Sequence, residues 1–401
     1  MSSLLIIGAG PAGLSAAITA ARQGVEVTIV DEFVKPGGRL LGQLHQEPNG
    51  VWWNGIEEAG KLESEVKKLP VEIHYHTSVH HIRKVAKQWE VQTNKKVFTA
   101  EALLLATGAA ERSIPIPGWT LPGVMTIGAA QVMTNVHKVK PGQKGIIVGL
   151  NVLSMAIAHE LKLADVDIDS MVLPPQTILS EQESNPKQVL NTLSTLSHLA
   201  PSPLLRYGGA LIQKSSWLKE RALAFYPNSG FKVWGVPIRL RTQVIEIIGT
   251  TQVEAVRVAR VTSSGKIIDG TDRTIDVDFV CIAGGLYPLS ELIALTDCPM
   301  KYIPSLGGHI PAHNENMCTP VESLYVAGNI TGIESAKIAI RQGTVAGLSI
   351  AKDMNLLENH QQLDTARQLV KKERENATIK FHPDISQGRD DLYQGSNDLL
   401  A

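Results

Sequence analysis

Gly8, Gly10 and Gly13 stand in the stretch Gly8-Ala9-Gly10-Pro11-Ala12-Gly13, and Asp31, followed by Glu32, comes about 20 residues on. This is the spacing of a dinucleotide cradle. The first glycine permits a tight turn, the second lets backbone approach a pyrophosphate, and the third lets a helix pack closely on a strand. The helix N-terminus offers N–H groups to the anion, and a carboxylate at the end of the next strand accepts from a ribose hydroxyl. A second stretch, Gly149-Leu150-Asn151-Val152-Leu153-Ser154, has the same outline with Asn151 and Ser154 in place of two glycines. The position matching the acid is Val172, followed by Leu173-Pro174-Pro175. A side chain at the middle position obstructs the pyrophosphate, and neither an acid for a 2′-hydroxyl nor an arginine for a 2′-phosphate is present. NAD(P) is therefore not expected there, the alternative being a nonstandard NAD(P) or ATP site.

The elements that must position these residues are legible around them. Leu4 to Ile7 is an apolar run suited to a strand buried on both faces, Leu14, Ala17, Ile18 and Ala21 recur at helical spacing, and Val25 to Val30 is the next strand. Gly24 sits where a left-handed helix cap belongs. Phe33 to Gln43, "FVKPGGRLLGQ", holds Gly38, Arg39 and Gln43 in a glycine-rich turn that would lie along the rest of a longer dinucleotide. Ala102 to Ala109 reads as a strand ending in Ala106-Thr107-Gly108. Thr319 to Gly347 reads as a strand, a turn with Gly328 and Asn329, and a helix of small residues beginning near Ser335 and Ala336. Glu334 and Lys337 read as an exposed pair three residues apart.

These segments are similar to the FAD fingerprints of the two-dinucleotide-binding-domain flavoproteins, the glutathione-reductase-like superfamily, over about residues 1–355. The first motif falls on Gly8, Gly10, Gly13 and Asp31, the middle one on Ala106-Thr107-Gly108, and the late one on Thr319, Tyr325 and Ala327-Gly328-Asn329, with Asn329 where the superfamily usually has Asp. The resemblance implies FAD as cofactor, the backbone of Val79 against adenine, the helix from Ser335 and Ala336 directed at the flavin, and Arg39 as a flavin-side cation or a surface one. It also implies an α/β fold of two Rossmann-like dinucleotide-binding domains, the second inserted into the first. The expected boundaries are 1–115 with 280–355 for the FAD-binding domain, 116–279 for the degenerate NAD(P)-binding-like domain, and 356–401 for a C-terminal helix and polar tail. "GGRLLGQLHQEP", "CIAGGLYPLSEL", "IPSLGGHIP" and "YVAGNITGIESAKIAIRQGTVAGLSIA" look most like the FAD-binding α-type subunits of multisubunit amine and amino-acid dehydrogenases. That group includes dye-linked proline dehydrogenase, opine oxidase, hydrogen cyanide synthase and the sarcosine oxidase α chain.

Composition narrows the classes further. The chain has 401 residues, 43% hydrophobic, and a net charge of -1, so no field recruits nucleic acid or anionic lipid. No apolar run approaches the roughly 20 residues of a bilayer span, and the N-terminus lacks the basic region of a signal peptide, so the expected location is cytoplasmic. Cys281, Cys298 and Cys318 are too few and too scattered for a thiolate cluster and include no C-x-x-C, so a redox-active disulfide is not expected and each reads as a small buried hydrophobe. His74, His76, His80 and His81 alternate along a strand and read as a solvated face, with no metal expected. Trp52 and Trp53 read as a turn near the flavin segment, and Leu211 to Phe225 as a helix. The charged helix and polar tail after Leu356 are expected to fray or to dock on a partner.

The leading expectation is an FAD-containing subunit of a hetero-oligomeric amino-acid or amine dehydrogenase. A flavoprotein partner subunit would oxidise the substrate C–N bond, FMN being a second flavin shared with it; a further partner would be a small [2Fe–2S] subunit. A stand-alone NAD(P)H-dependent FAD oxidoreductase and a structural nucleotide-binding scaffold are the alternatives. No catalytic residue is singled out by spacing.

Overall fold

The computed structural model describes residues 2–47, 50–195, 197, 206–209 and 215–400. Its contacts divide the chain into two compact units, the first Met1–Leu41, Asn54–Ala110 and Leu286–Ala401, the second Gly42–Trp53 and Glu111–Gly285.

In the first unit the apolar run at the N-terminus becomes the strand Ser2–Ile7, which pairs in parallel with Val27–Val30 on one side and Val97–Leu105 on the other. Leu4 and Ile6 are fully buried, as expected of a strand covered on both faces. Val71–His74 extends the parallel sheet at one edge, Leu324–Val326 joins Val97–Leu105 in parallel, and Gln88–Thr93 with Val79–Val85 adds an antiparallel meander, seven strands in all. The helix Pro11–Arg22 follows the first strand and packs on the late helix Ala336–Asp353. A Cβ on Gly343 would lie 2.1 Å from the carbonyl oxygen of Ala12, so this approach is open only to glycine.

The C-terminal tail departs from expectation. It is neither frayed nor a segment apart, because its helices Gln361–Glu375 and Ile385–Leu400 belong to the first unit. Leu363, Ala366 and Val370 share one core cluster with Leu4, Ile6 and Leu14, while Ile385 and Leu392 close over Leu306 and Ile310. Apolar residues recur on one face of the charged helix, and the unit's own core supplies their partner.

The second unit repeats the plan of the first. Lys144–Val148, the helix Val152–Leu163 and Asp167–Leu173 match the first strand, helix and strand, inside an eight-stranded sheet with parallel centre and antiparallel flank. Trp52 and Trp53 lie in a short strand, Trp52–Asn54, and the expected helix from Leu211 is seen as Ser216–Ala224, residues 211–214 lying outside the described residues. The histidine segment is two strands rather than one, with His76 at φ 53° in the turn between them.

The segment Gly42–Trp53, expected in the FAD-binding domain, is a member of the second unit because Glu160 holds it there. This carboxylate is 4% exposed and accepts from Gln131 Nε2 (2.8 Å), Asn135 Nδ2 (2.7 Å) and the Leu44 amide (3.3 Å), and Asn135 Nδ2 also reaches the Gly42 carbonyl (2.7 Å). Burial pushes the carboxyl up to about 7, the three donors only partly opposing it. The folded value lies above the unfolded 4.5, so the stability Glu160 contributes is complete below pH 4.5 and is lost as pH rises to about 7. Urea midpoints measured between pH 4.5 and 7 should therefore fall in the wild type with a contribution approaching ~1.4 kcal/mol per pH unit, and Glu160→Gln should remove that component. Identical slopes for the two proteins would refute the assignment.

Candidate functional site

The first unit gathers the sequence motifs at the carboxyl ends of its parallel strands. Gly8 has φ +108°, and a Cβ on it would lie 2.4 Å from the Ala106 carbonyl oxygen, so the first and middle motifs meet there. A Cβ on Gly13 would lie 1.9 Å from the Gly8 carbonyl oxygen, which is the helix-on-strand contact its position predicts. At Gly10 a Cβ would meet nothing within 4 Å: this position is open space, backbone φ −75° and ψ −177° being allowed to any residue. Pro11 occupies the first turn, and no side chain caps the helix that carries Ala12 and Gly13.

The other predicted residues close around this opening. Gly38 stacks on Gly10, with a Cβ position 3.2 Å from the Gly10 Cα, and Arg39 Nε donates to the Ala109 carbonyl at 2.8 Å. Thr107 Oγ1 donates to the Leu289 carbonyl at 2.6 Å and Leu289 N–H returns to Gly108, which fixes the middle motif. Gly328 abuts Ala12, and Asn329 Oδ1 accepts the Glu334 amide at 3.2 Å, a use any side-chain oxygen at this position serves. Ser335 caps the helix that begins at Ala336, and Val79 opens its strand.

Several residues are placed differently from the sequence reading. Asp31 turns inward, accepting the Ala9 amide at 2.5 Å on Oδ2 and the Phe33 amide at 2.7 Å on Oδ1, so it braces the glycine turn itself, while Glu32 is exposed. Gln43 belongs to the second unit and accepts from Trp53 Nε1 at 3.1 Å. Glu334, expected to pair with Lys337 at the surface, is 8% exposed and bound by Arg374 and Arg389. Their distance along the chain hides this triad from any local pattern.

The second cradle has the turn but not the opening. Gly149 has φ +113° and a Cβ position 2.3 Å from the Ala283 carbonyl, the counterpart of Gly8 and Ala106. Asn151, where Gly10 stands in the first copy, instead fills the helix N-terminus with a capping box: its Oδ1 accepts the Ser154 amide and Ser154 Oγ accepts the Asn151 amide, both at 2.9 Å. Asn151 Nδ2 adds a bond to the Ala283 carbonyl at 3.0 Å. The two substituted positions thus serve each other, and the amides of Asn151 and Ser154 at this helix start are already satisfied.

Among the described residues no group of three or more His, Cys, Asp or Glu side chains is placed to hold a metal, and no helix is long and apolar enough to cross a membrane. The three cysteines are free. Burial pushes the Cys281 thiol well above its usual range, Cys298 up to about 11 and Cys318 up to about 12.

Residues 2–343 match the pyridine nucleotide-disulphide oxidoreductase family. The chain belongs to that family. Its architecture is the α/β two-domain flavoprotein fold. The A subunit of opine oxidase from Agrobacterium tumefaciens is 27% identical over 88% of this chain and 66% of its own length; the HcnB subunit of hydrogen cyanide synthase from Pseudomonas protegens is 24% identical over 88% and 71%. Against two such relatives, both opine oxidase A subunits, the chain spans 66% and 63% of their length, just under two thirds. Among solved structures, L-proline dehydrogenase from P. horikoshii shares the fold with a TM-score of 0.64 at 19% identity, over 92% of this chain and 58% of that one. Thioredoxin reductase of T. acidophilum does so with a TM-score of 0.62 at 20% identity, over 88% and 99%. This member of the family has no C-x-x-C in its sequence.

Proposed function

We propose that this chain is the FAD-binding subunit of a hetero-oligomeric amino-acid or amine dehydrogenase and passes on electrons that a partner subunit takes from a substrate C–N bond. The observation that carries the reading is the contrast between the open position at Gly10 and the self-capped helix at Asn151 and Ser154. One cradle has room for a dinucleotide, and the other carries two side chains that cap its own helix start, which favours FAD in the first and no NAD(P) in the second. Relatives named as subunits of opine oxidase and hydrogen cyanide synthase support the multisubunit setting.

In this reading Gly8, Gly10, Ala12 and Gly13 hold the pyrophosphate, Glu32 and Val79 the adenosine half, Gly38 and Arg39 the flavin half, and Gly328, Asn329, Ser335 and Ala336 the remaining face. Asp31 keeps the glycine turn in shape through its two backbone bonds. Bound FAD would supply the two-electron chemistry, and the chain's own groups bind and orient it. The substrate is assigned to a partner because the relatives are named as subunits.

Rapid mixing with NADH or NADPH tests the reading. The purified chain should be yellow, and its flavin absorbance should not bleach on the timescale of seconds. Fast bleaching would overturn the relay in favour of a stand-alone reductase, and a colourless chain would make the nucleotide cradle a scaffold.

A further inference from the structure

Glu334 lies immediately before Ser335, the N-cap of the helix Ala336–Asp353, and two arginines from the end of the chain converge on its carboxylate. Arg374 donates Nε to Oε1 at 2.8 Å and Nη2 to Oε2 at 3.0 Å; Arg389 donates Nη2 to Oε2 at 2.7 Å. Arg389 is 3% exposed, its Nη1 bonds the Thr331 carbonyl, and its Nε has no hydrogen-bond partner. Gln342 carries the network on: its Oε1 accepts the Gly328 amide at 2.9 Å, and its Nε2 reaches Thr331 Oγ1 at 3.1 Å and Glu334 Oε2 at 3.4 Å. One continuous set of hydrogen bonds therefore joins the C-terminal helices to Gly328 and, through the Glu334 amide, to Asn329.

The charges in this network do not cancel. Burial pushes the Glu334 carboxyl up, and the two guanidinium groups more than reverse it, so Glu334 is ionised and its one negative charge faces two positive ones. Tyr393 accepts from Arg374 through its hydroxyl at 3.2 Å, Lys380 lines the same cavity as the triad, and His313, fully buried, is held down to about 3 by that burial and by Arg389, so no further carboxylate is bonded to either guanidinium among the described residues. A bracing ion pair needs one arginine. A second buried guanidinium without its own counter-charge is costly unless something anionic comes near it.

Resting on the FAD reading above, we propose that Arg374 and Arg389 act through Glu334 as positioning residues for the late cofactor motif, and that their surplus positive charge favours the reduced, more negative cofactor. No residue of the triad need touch the cofactor. The network holds Gly328 through its amide and Asn329 through its side chain, and the charge acts at short range through the field itself.

The test is the reduction potential of FAD bound to the full-length chain, with FAD content measured on the same samples. Glu334→Gln removes the compensating negative charge and should raise the potential. Arg374→Gln, at the more accessible guanidinium, should lower it, and Arg374→Lys should restore the wild-type value. A brace with no electrostatic role would loosen FAD in both glutamine variants without opposed shifts, and that outcome, or shifts of one sign, overturns the proposal. Should Glu334→Gln not fold, the Arg374→Gln and Arg374→Lys comparison decides alone: equal potentials defeat it. A wild-type chain that holds no FAD, or whose FAD persists undiminished in Gly10→Val, defeats the underlying reading and this inference with it.

Discussion

Gly10→Val should yield a folded chain that holds its dinucleotide much more weakly. The backbone at Gly10 is in an ordinary extended conformation and a Cβ there meets no atom within 4 Å, so the protein itself has room for the substitution. What the side chain invades is the space left for the pyrophosphate. Overpacking of this kind costs about 1–3 kcal/mol, so FAD affinity should fall on the order of 10- to 100-fold while the thermal midpoint of the cofactor-free protein stays near wild type. The neighbouring glycines should behave in the opposite sense. Gly13→Val drives a side chain into the Gly8 carbonyl, and any residue but glycine at Gly8 must adopt φ +108° against the Ala106 carbonyl; both should lower stability before any question of binding arises. Fluorescence titration with FAD, paired with thermal melts of the cofactor-free proteins, separates the two cases. Unchanged affinity in Gly10→Val would show that the cofactor lies elsewhere.

Ending the chain after Asp353 should destroy the first unit rather than trim it. The cut removes Leu363, Ala366 and Val370 from the cluster that includes Leu4 and Leu14, uncovers Leu306 and Ile310, and deletes both arginines that neutralise Glu334. Leaving one buried charge without its partner costs about 3–5 kcal/mol, a large part of the ~5–15 kcal/mol that keeps a domain folded, before the lost apolar burial is added. The truncated protein should aggregate or be degraded on expression and retain no FAD. A soluble truncated chain with a wild-type melting point would mean that the tail is dispensable, as its polar composition alone suggests.

Why the cradle is legible in the sequence and the tail is not comes down to distance along the chain. Gly8, Gly13, the strand before them and Asp31 interact within some 30 residues, and each carries a signature that local chemistry imposes. Even there the role of Asp31 is hidden, because an acid that bonds the backbone of Ala9 looks the same in sequence as one that awaits a ribose. Glu334 meets Arg374 and Arg389 across 40 and 55 residues, and nothing near Glu334 in the sequence distinguishes it from a surface acid. Gly42 and Leu44 are bound by side chains more than 90 residues away, which moves a segment from one expected domain to the other unit. Asn151 and Ser154 are legible as losses of glycine. That they form a reciprocal cap follows from the spacing once the helix start is known, and a polar pair at that spacing is a signal sequence reasoning can use.

The strand Leu324–Val326 has a consequence for how the protein is made. It completes a sheet whose other strands lie within the first 105 residues, and the core beside that sheet waits further, for the helix Gln361–Glu375. Translation at ~5–20 residues per second delivers Leu286–Ala401 on the order of ten seconds after the last residue of the second unit. During that interval the second unit can mature at the ribosome, while Ser2–Ile7 and its neighbours present an unfinished apolar surface. The nascent first unit is thus the natural client of a chaperone, and slowing synthesis after Gly285 should lower the yield of soluble protein more than slowing it before Glu111.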